Sequence, residues 1–367
     1  MTHSALGFVL SLVMVLTAVA PPASAGAPTT GSTAVTASAS DRDFAGRRVM
    51  SREISFDVVN HNETEVACLP APDGRPHTLR ARLIGPARVI EGRNGSETFH
   101  VLVHDAGTGS WFWNLQGRRV GREQDYATRL AEKGKTVVVL DRLGYDRSPL
   151  RDGDATCLGA QATMLGRVVQ ALYAGLYEVS GRPRAATPHA SHIVLHGHGT
   201  GATVARLEAA TYSDVQALVL MSPVSTSPSR LTLETLRGQG MVCAQGAGFA
   251  PYGKTARSFR RLLFASAPVG VQRAAVRLRN STPCGDVASL PSSVLAAQGQ
   301  AVDVPTLVLS GRADASRDGD GITATGGARL ERRSFAGAGS ALPLEKQAPA
   351  VRRAVLSFVN SLDDTVR

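Results

Sequence analysis

The run Ile193-Val194-Leu195-His196-Gly197-His198-Gly199-Thr200-Gly201-Ala202 leads an apolar stretch into a Gly-x-x-x-Gly turn, with helix-forming residues 202–210 behind it. A tight strand-to-helix turn of this kind exposes the side chain at its apex, and a serine there performs nucleophilic acyl transfer. The apex here is Gly199. Glycine accepts the positive φ that the turn demands, but it brings no nucleophile. A serine would also need an imidazole to take its proton during attack. The last histidine of the chain is His198, so nothing C-terminal to the turn supplies one. Acyl-enzyme chemistry that draws its base from beyond this turn is therefore excluded.

Strands and helices must hold this turn, and they alternate. Residues 53–59 and 78–84 read as a hairpin across the Pro- and Gly-rich stretch 70–76. A strand at 100–104 ends in the turn-rich loop 105–110, and a short helix at 125–133 is closed by Gly134. Residues 136–140 (Thr-Val-Val-Val-Leu) read as a fully buried strand, and 157–179 carry helical periodicity. Strands follow at 193–196, 215–221, 306–310 and 330–335, and a helix over 345–362 closes the chain. This alternation predicts an α/β class fold, a mostly parallel sheet with helices on both faces. Residues 224–301 break the pattern with Gly-, Ser- and Arg-rich amphipathic sequence and read as a cap inserted over the strand ends. Ligands of open α/β sheets bind outside the C-terminal strand ends. That rule gathers 104–109, 141–148, 197–201, Ser222, Pro223 and 311–316 around one crevice.

Five pieces in order carry a family resemblance. They are His104-Asp105-Ala106-Gly107 with Trp111 and Trp113 behind it, Asp141-Arg142-Leu143-Gly144-Tyr145-Asp146-Arg147-Ser148, the turn 197–201, the strand 305–314 ending in Asp314, and the loop 335–340 with Glu345. Together they resemble the α/β-hydrolase fold from about Glu53 to the C-terminus. The resemblance implies that 104–107 is the oxyanion loop, that Asp314 stands at the acid position and that Ser340 stands at the histidine position. Only the acid of the family's triad survives. A second departure is Asp105, where the family's loop has glycine.

A carboxylate at 105 that projects toward a substrate carbonyl would repel a developing oxyanion and could serve as a general base. Turned away, it would hydrogen-bond its own loop. His104 and His198 flank the crevice and either brace loops from behind, as the resemblance implies, or act in acid–base or ligand roles. Asp314 either caps the turn that follows it or is a second acid–base group. The amide of Thr200, at a helix N-terminus, is an anion-friendly donor. Ala106, Gly107, Trp111, Gly199, Thr200, Ser222 and Ser340 complete the expected ligand-binding set.

The ends and the composition set bounds. An apolar run at 5–20 precedes Ala23-Ser24-Ala25, which predicts an export signal cleaved near Ala25 and a secreted product. Residues 26–41 read as a disordered linker, and 42–367 as one α/β-hydrolase-like domain with its cap. In an oxidising compartment the four cysteines favour disulfides. Of three possible connectivities, Cys243–Cys284 with Cys68–Cys157 is favoured, because Cys243 and Cys284 share the inserted segment. No sequence pattern calls for a metal or another cofactor. The net charge of +10 gathers partly on Lys254, Arg257, Arg260, Arg261, Arg273, Arg277 and Arg279. These read as solvated helix faces; no nucleic-acid module accompanies them, and no second apolar run predicts a membrane span.

Three functions fit these residues. One is a non-hydrolytic acid–base catalyst, a lyase, elimination or cyclisation enzyme, with Asp105 as base and a small apolar carbonyl-bearing metabolite as substrate. Another is an inactive relative that binds a ligand or partner in the same pocket. The last is a hydrolase with a rebuilt site.

Overall fold

The computed structural model describes residues 42–44, 47–92, 97–117, 120–181, 187–318 and 329–363. The export signal and the linker expected at 1–41 lie outside the described residues. The strands are β1 (Arg42–Phe44), β2 (Arg47–Val59), β3 (Pro76–Pro86), β4 (Glu97–Val103), β5 (Thr136–Leu140), β6 (Glu178–Val179), β7 (Ala190–His198), β8 (Ala217–Met221), β9 (Phe249–Pro251), β10 (Ser281–Pro283), β11 (Thr306–Gly311) and β12 (Leu330–Phe335). The helices are α1 (Ala87–Ile90), α2 (Tyr126–Ala131), α3 (Leu158–Ala174), α4 (Thr200–Tyr212), α5 (Arg230–Cys243), α6 (Ala256–Leu263), α7 (Val269–Leu278), α8 (Cys284–Gly299) and α9 (Ala348–Asp363).

One sheet runs in the order β1-β2-β3-β5-β4-β7-β8-β11-β12, with β6 added beside β2. The expected hairpin is β2–β3, antiparallel from Val49↔Pro86 to Val59↔Pro76. Beyond the antiparallel β3–β5 pair, every pairing from β5 to β12 is parallel. The central strands are buried on both faces, which is why β5 and β8 read as continuous apolar runs rather than as alternation. Successive residues still face opposite layers. Val101, Val103, Leu195 and Leu220 join α3 and α4, whereas Leu102, Val194, Val219 and Leu309 join α2, α6, α7 and α9.

Two helix limits differ from the sequence expectation, each for a local reason. The periodicity over 157–179 breaks at Gly175, which adopts a left-handed C-cap at φ 64°, and 178–179 leave to pair with β2. The last helix begins at Ala348, not at 345, because Glu345 is drawn out of it. Its carboxylate accepts from the amides of Gly339, Ala265 and Ser266, fixing the loop that carries Ser340 to the end of α6.

Between β8 and β11 the chain builds α5 to α8 and a separate two-stranded sheet, β9–β10. Helix α8 packs on α3, α4 and α5. Both favoured disulfides are present: Cys243–Cys284 ties the end of α5 to the start of α8, and Cys68–Cys157 holds the start of α3. Among the described residues, no helix is long and apolar enough to cross a membrane.

A buried polar pair crosses the sheet interior. His100 Nδ1 lies 3.0 Å from His196 Nε2, and the Tyr126 hydroxyl lies 3.1 Å from His196 Nδ1. Burial disfavours the imidazolium and pushes His196 down to about 3 from an ordinary 6.5. The unfolded chain therefore binds a proton there that the folded one refuses. The stability this group contributes is complete above pH 6.5 and is lost as pH falls toward about 3, by about 1.4 kcal/mol per pH unit. We expect the difference in unfolding free energy between wild type and His196→Asn to narrow between pH 7 and pH 5 in denaturant titrations. A gap that stays constant would contradict this.

Candidate functional site

Strand β7 carries the chain to Gly199, which sits at φ 54° and ψ −119° before α4 opens at Thr200. The turn is closed by the Gly199 amide donating to Met221 O at 3.1 Å. Position 199 excludes other residues twice over. Its φ is left-handed, and a Cβ there would stand 2.1 Å from Asp105 Cγ and 2.3 Å from both carboxylate oxygens. The Asp105 carboxylate thus fills the space that a side chain on the turn would occupy.

That carboxylate is held from one side. Asp105 Oδ1 accepts from the Ala106 amide at 2.7 Å, the Thr200 amide at 2.7 Å and the Thr200 hydroxyl at 2.9 Å. The Thr200 amide is the first of α4, where aligned peptide dipoles favour a negative charge. Neither orientation expected from the sequence describes this fully. Asp105 points inward, into the anion pocket, and it also takes up the amides there.

The other expected catalytic residues separate. His104 is buried, and both of its ring nitrogens are committed to backbone: Nδ1–H donates to Asp105 O at 2.8 Å, and Nε2 accepts from the Arg142 amide at 3.2 Å. Burial, aided by the Arg142 charge, holds it well below the usual histidine range. His198 is buried against Phe112, with ring centroids stacked at 4.2 Å. Its Nε2 lies 3.1 Å from both the carbonyl and the hydroxyl oxygen of Ser340, and its Nδ1 lies 3.9 Å from Asp105 Oδ2. Asp314 Oδ1 accepts from the Ser316 amide at 3.0 Å and the Ser316 hydroxyl at 2.6 Å, so it caps the turn after β11.

These groups underlie a cavity of about 560 Å³. Its floor includes Asp105, Ala106, Gly199, Thr200, Ser222 and Ser340, five of them from the expected ligand-binding set. Two members of that set lie elsewhere. Gly107, at φ +65°, is covered by Tyr252, whose Cβ lies 2.2 Å from where a Cβ on Gly107 would stand; Trp111 packs edge-on to Phe112. His104, His198 and Asp314 are likewise absent from the lining. One wall is α5, through Thr232, Leu236, Gln239 and Gly240, and another is α8, through Leu290, Pro291, Val294 and Leu295.

Sequence reasoning missed Gln239, Tyr252, Thr282 and Asp286, all of which line the cavity. The spacing 232, 236, 239, 240 on one helical face was the available signal for Gln239. Asp286 accepts from Arg142 Nη1 at 3.2 Å and the Tyr145 hydroxyl at 2.9 Å; burial pushes its carboxyl up and Arg142 opposes that. The buried Ser222 hydroxyl, Gln239 amide nitrogen and Thr282 hydroxyl make no hydrogen bond to any described residue. Among the described residues, no group of three His, Cys, Asp or Glu side chains is placed to hold a metal ion.

Residues 101–354 match the profile of the alpha/beta hydrolase family. Solved structures of similar fold include a thermophilic esterase from Thermogutta terrifontis with malate bound, at 19% identity, covering 84% of this chain and 99% of that one, TM-score 0.55. A monoacylglycerol lipase from Paleococcus ferrophilus aligns at 17% identity over 73% of this chain and 96% of that one, TM-score 0.53. An esterase from Exiguobacterium antarcticum aligns at 14% identity over 80% and 98%, TM-score 0.51. At these identities the likeness is one of fold. No curated protein matches the sequence.

The contact between positions 105 and 199 yields a double-mutant test. Gly199→Ala should cost about 3 kcal/mol, from left-handed strain and the collision with Asp105. In an Asp105→Ala background the same change should cost about 2 kcal/mol less, because the collision partner is gone. Chemical denaturation of the four proteins measures this; additive effects would mean that the two positions do not compete for one space.

Proposed function

Because the chain belongs to the alpha/beta hydrolase family, we propose that it keeps that family's pocket and uses it to capture a small, largely apolar molecule rather than to transfer an acyl group. One observation carries this reading. The amides of Ala106 and Thr200, where a tetrahedral oxyanion would seat, are already bound to the chain's own carboxylate. Gly199 offers no nucleophile to go with them. What remains is a large, mainly apolar cavity with a few polar groups on its lining, the usual make-up of a small-molecule site. The Ser222, Gln239 and Thr282 groups support occupancy, since buried polar atoms rarely go without partners.

Asp105 as the base of a lyase or cyclisation enzyme is the weaker variant of this reading. Three donors already occupy Oδ1, so that oxygen has no free lone pair with which to take a substrate proton. A second reading rests on the Ser340 hydroxyl lying 3.1 Å from His198 Nε2, with Asp105 Oδ2 3.9 Å from Nδ1. That order, serine to histidine to aspartate, is the layout of a relocated hydrolase site. The Ser340 carbonyl, also 3.1 Å from Nε2, weighs against it. A carbonyl only accepts, so it calls for the proton on Nε2 and leaves that nitrogen unable to take one from the hydroxyl. The two disulfides suit an oxidising compartment and support export of the chain, cleaved near Ala25, to work outside the cell.

The neutral apolar dye Nile red should bind saturably at one site per chain. Gly240→Trp, which grows a side chain into open space on the α5 wall, should weaken it at least tenfold without lowering the unfolding temperature. Aryl ester panels should show no turnover, and a fluorophosphonate should label no serine. Label on Ser340 would replace the binding reading with the relocated site.

A further inference from the structure

The Asp105 end of the cavity floor is short of a hydrogen-bond donor. Asp105 Oδ1 is saturated by three donors from Ala106 and Thr200, all of them uncharged. The other oxygen, Oδ2, has His198 Nδ1 3.9 Å away, and Nδ1 makes no hydrogen bond to any described residue. With the proton on Nε2, directed at the Ser340 carbonyl, Nδ1 presents a lone pair. Asp105 Oδ2 on the cavity floor and the buried His198 Nδ1, outside the lining, therefore stand near each other as two acceptors with no hydrogen between them, an arrangement favourable only when something supplies one.

The charges nearby sharpen this. Asp286 has Arg142 within 3.2 Å, and Asp314 has Arg317 within 3.7 Å. Among the described residues, no Lys or Arg lies within ion-pair distance of Asp105. The positive field that reaches it is that of Arg142, which Asp286 already pairs, so this buried carboxylate has its hydrogen bonds but no ion-pair partner of its own. The Tyr252 ring lines the same cavity over the 105–107 loop and adds an aromatic surface of the kind that attracts cations. Above the floor, Leu236 on α5 and Leu290, Val294 and Leu295 on α8 offer only apolar contact.

We propose that the cavity takes an apolar amine, with its ammonium on Asp105 Oδ2 and its apolar body between α5 and α8. The site has the polarity opposite to that of an amide-lined anion pocket. The same backbone donors are present, but the carboxylate seated on them turns the surface toward the ligand negative. Carboxylate ligands, which bare amides would attract, are repelled by it. This assignment rests on the binding reading given above.

Three isosteric probes test it: 4-phenylbutylamine, 4-phenylbutan-1-ol and 4-phenylbutyrate, titrated calorimetrically into the full chain at pH 7.5. The amine should bind at least tenfold tighter than the alcohol, and the acid more weakly than both. Asp105→Asn should bring the amine down to the affinity that the alcohol shows for wild type. Equal binding of amine and alcohol, an acid that binds tightest, or an Asp105→Asn protein that keeps its preference for the amine would each overturn the proposal. If Nile red binds saturably while the amine shows no advantage, the amine assignment falls and the binding reading stands. If neither the dye nor any probe binds, both fall together.

Discussion

The carboxylate of Asp105 and the missing Cβ of Gly199 occupy one space, and the geometry of the site follows from that exchange. A helix N-terminus offers amides that must find acceptors. Here the acceptor is covalently part of the neighbouring loop, held by two amides and a hydroxyl at 2.7–2.9 Å. Hydrogen bonds to an ionised group are worth about 1.5–3 kcal/mol each, enough to fix the conformation of a loop whose glycine-like freedom was lost at 105. The loop backbone is then bound from outside as well. His104 donates to the Asp105 carbonyl, and the Arg142 amide donates to His104.

From Arg142 the fixation continues into the inserted segment. Its guanidinium, fully buried, pairs with Asp286 in the first turn of α8, two residues beyond Cys284. Cys284 in turn holds Cys243 at the end of α5. The cavity floor and both of its helical walls are thus joined by one run of contacts, and the carboxylate at the base is not mechanically independent of the helices above it. A buried ion pair of this kind adds little net stability, because desolvation offsets most of the attraction. It does impose a single placement on α8, since any shift would leave a buried charge without its partner.

Most of the fold was legible in the sequence. Apolar runs of strand length, their alternation with helical stretches and the glycines at the turns pointed to a mostly parallel sheet, because those signals are local; the strand order, set by crossovers, was not among them. The glycine at the apex of the turn and the absence of any histidine after His198 were legible too, since the residue types need no coordinates. The direction of Asp105 was not. It depends on Thr200, 95 residues away in sequence, and no local preference of an aspartate in a turn encodes that partner. The same limit explains Gly107, expected on the ligand and found beneath Tyr252, 145 residues on. It also explains Thr282, whose place on the lining depends on the pairing of β10 with β9.

The substitutions at 105, 199 and 340 are conditional on one another, and this makes a single reversal unproductive. A serine placed at 199 meets the Asp105 carboxyl before it meets any substrate. Glycine at 105 would free the amides of Ala106 and Thr200 for an oxyanion, but the turn would still present no nucleophile. A histidine at 340 would remove the hydroxyl beside His198 Nε2 and leave the backbone carbonyl there, and without a hydroxyl opposite it the new imidazole would have no proton to move. Acyl transfer by a serine on this turn would require all three changes together. On the binding reading, the pocket is a stable alternative arrangement rather than a hydrolase site with one part removed.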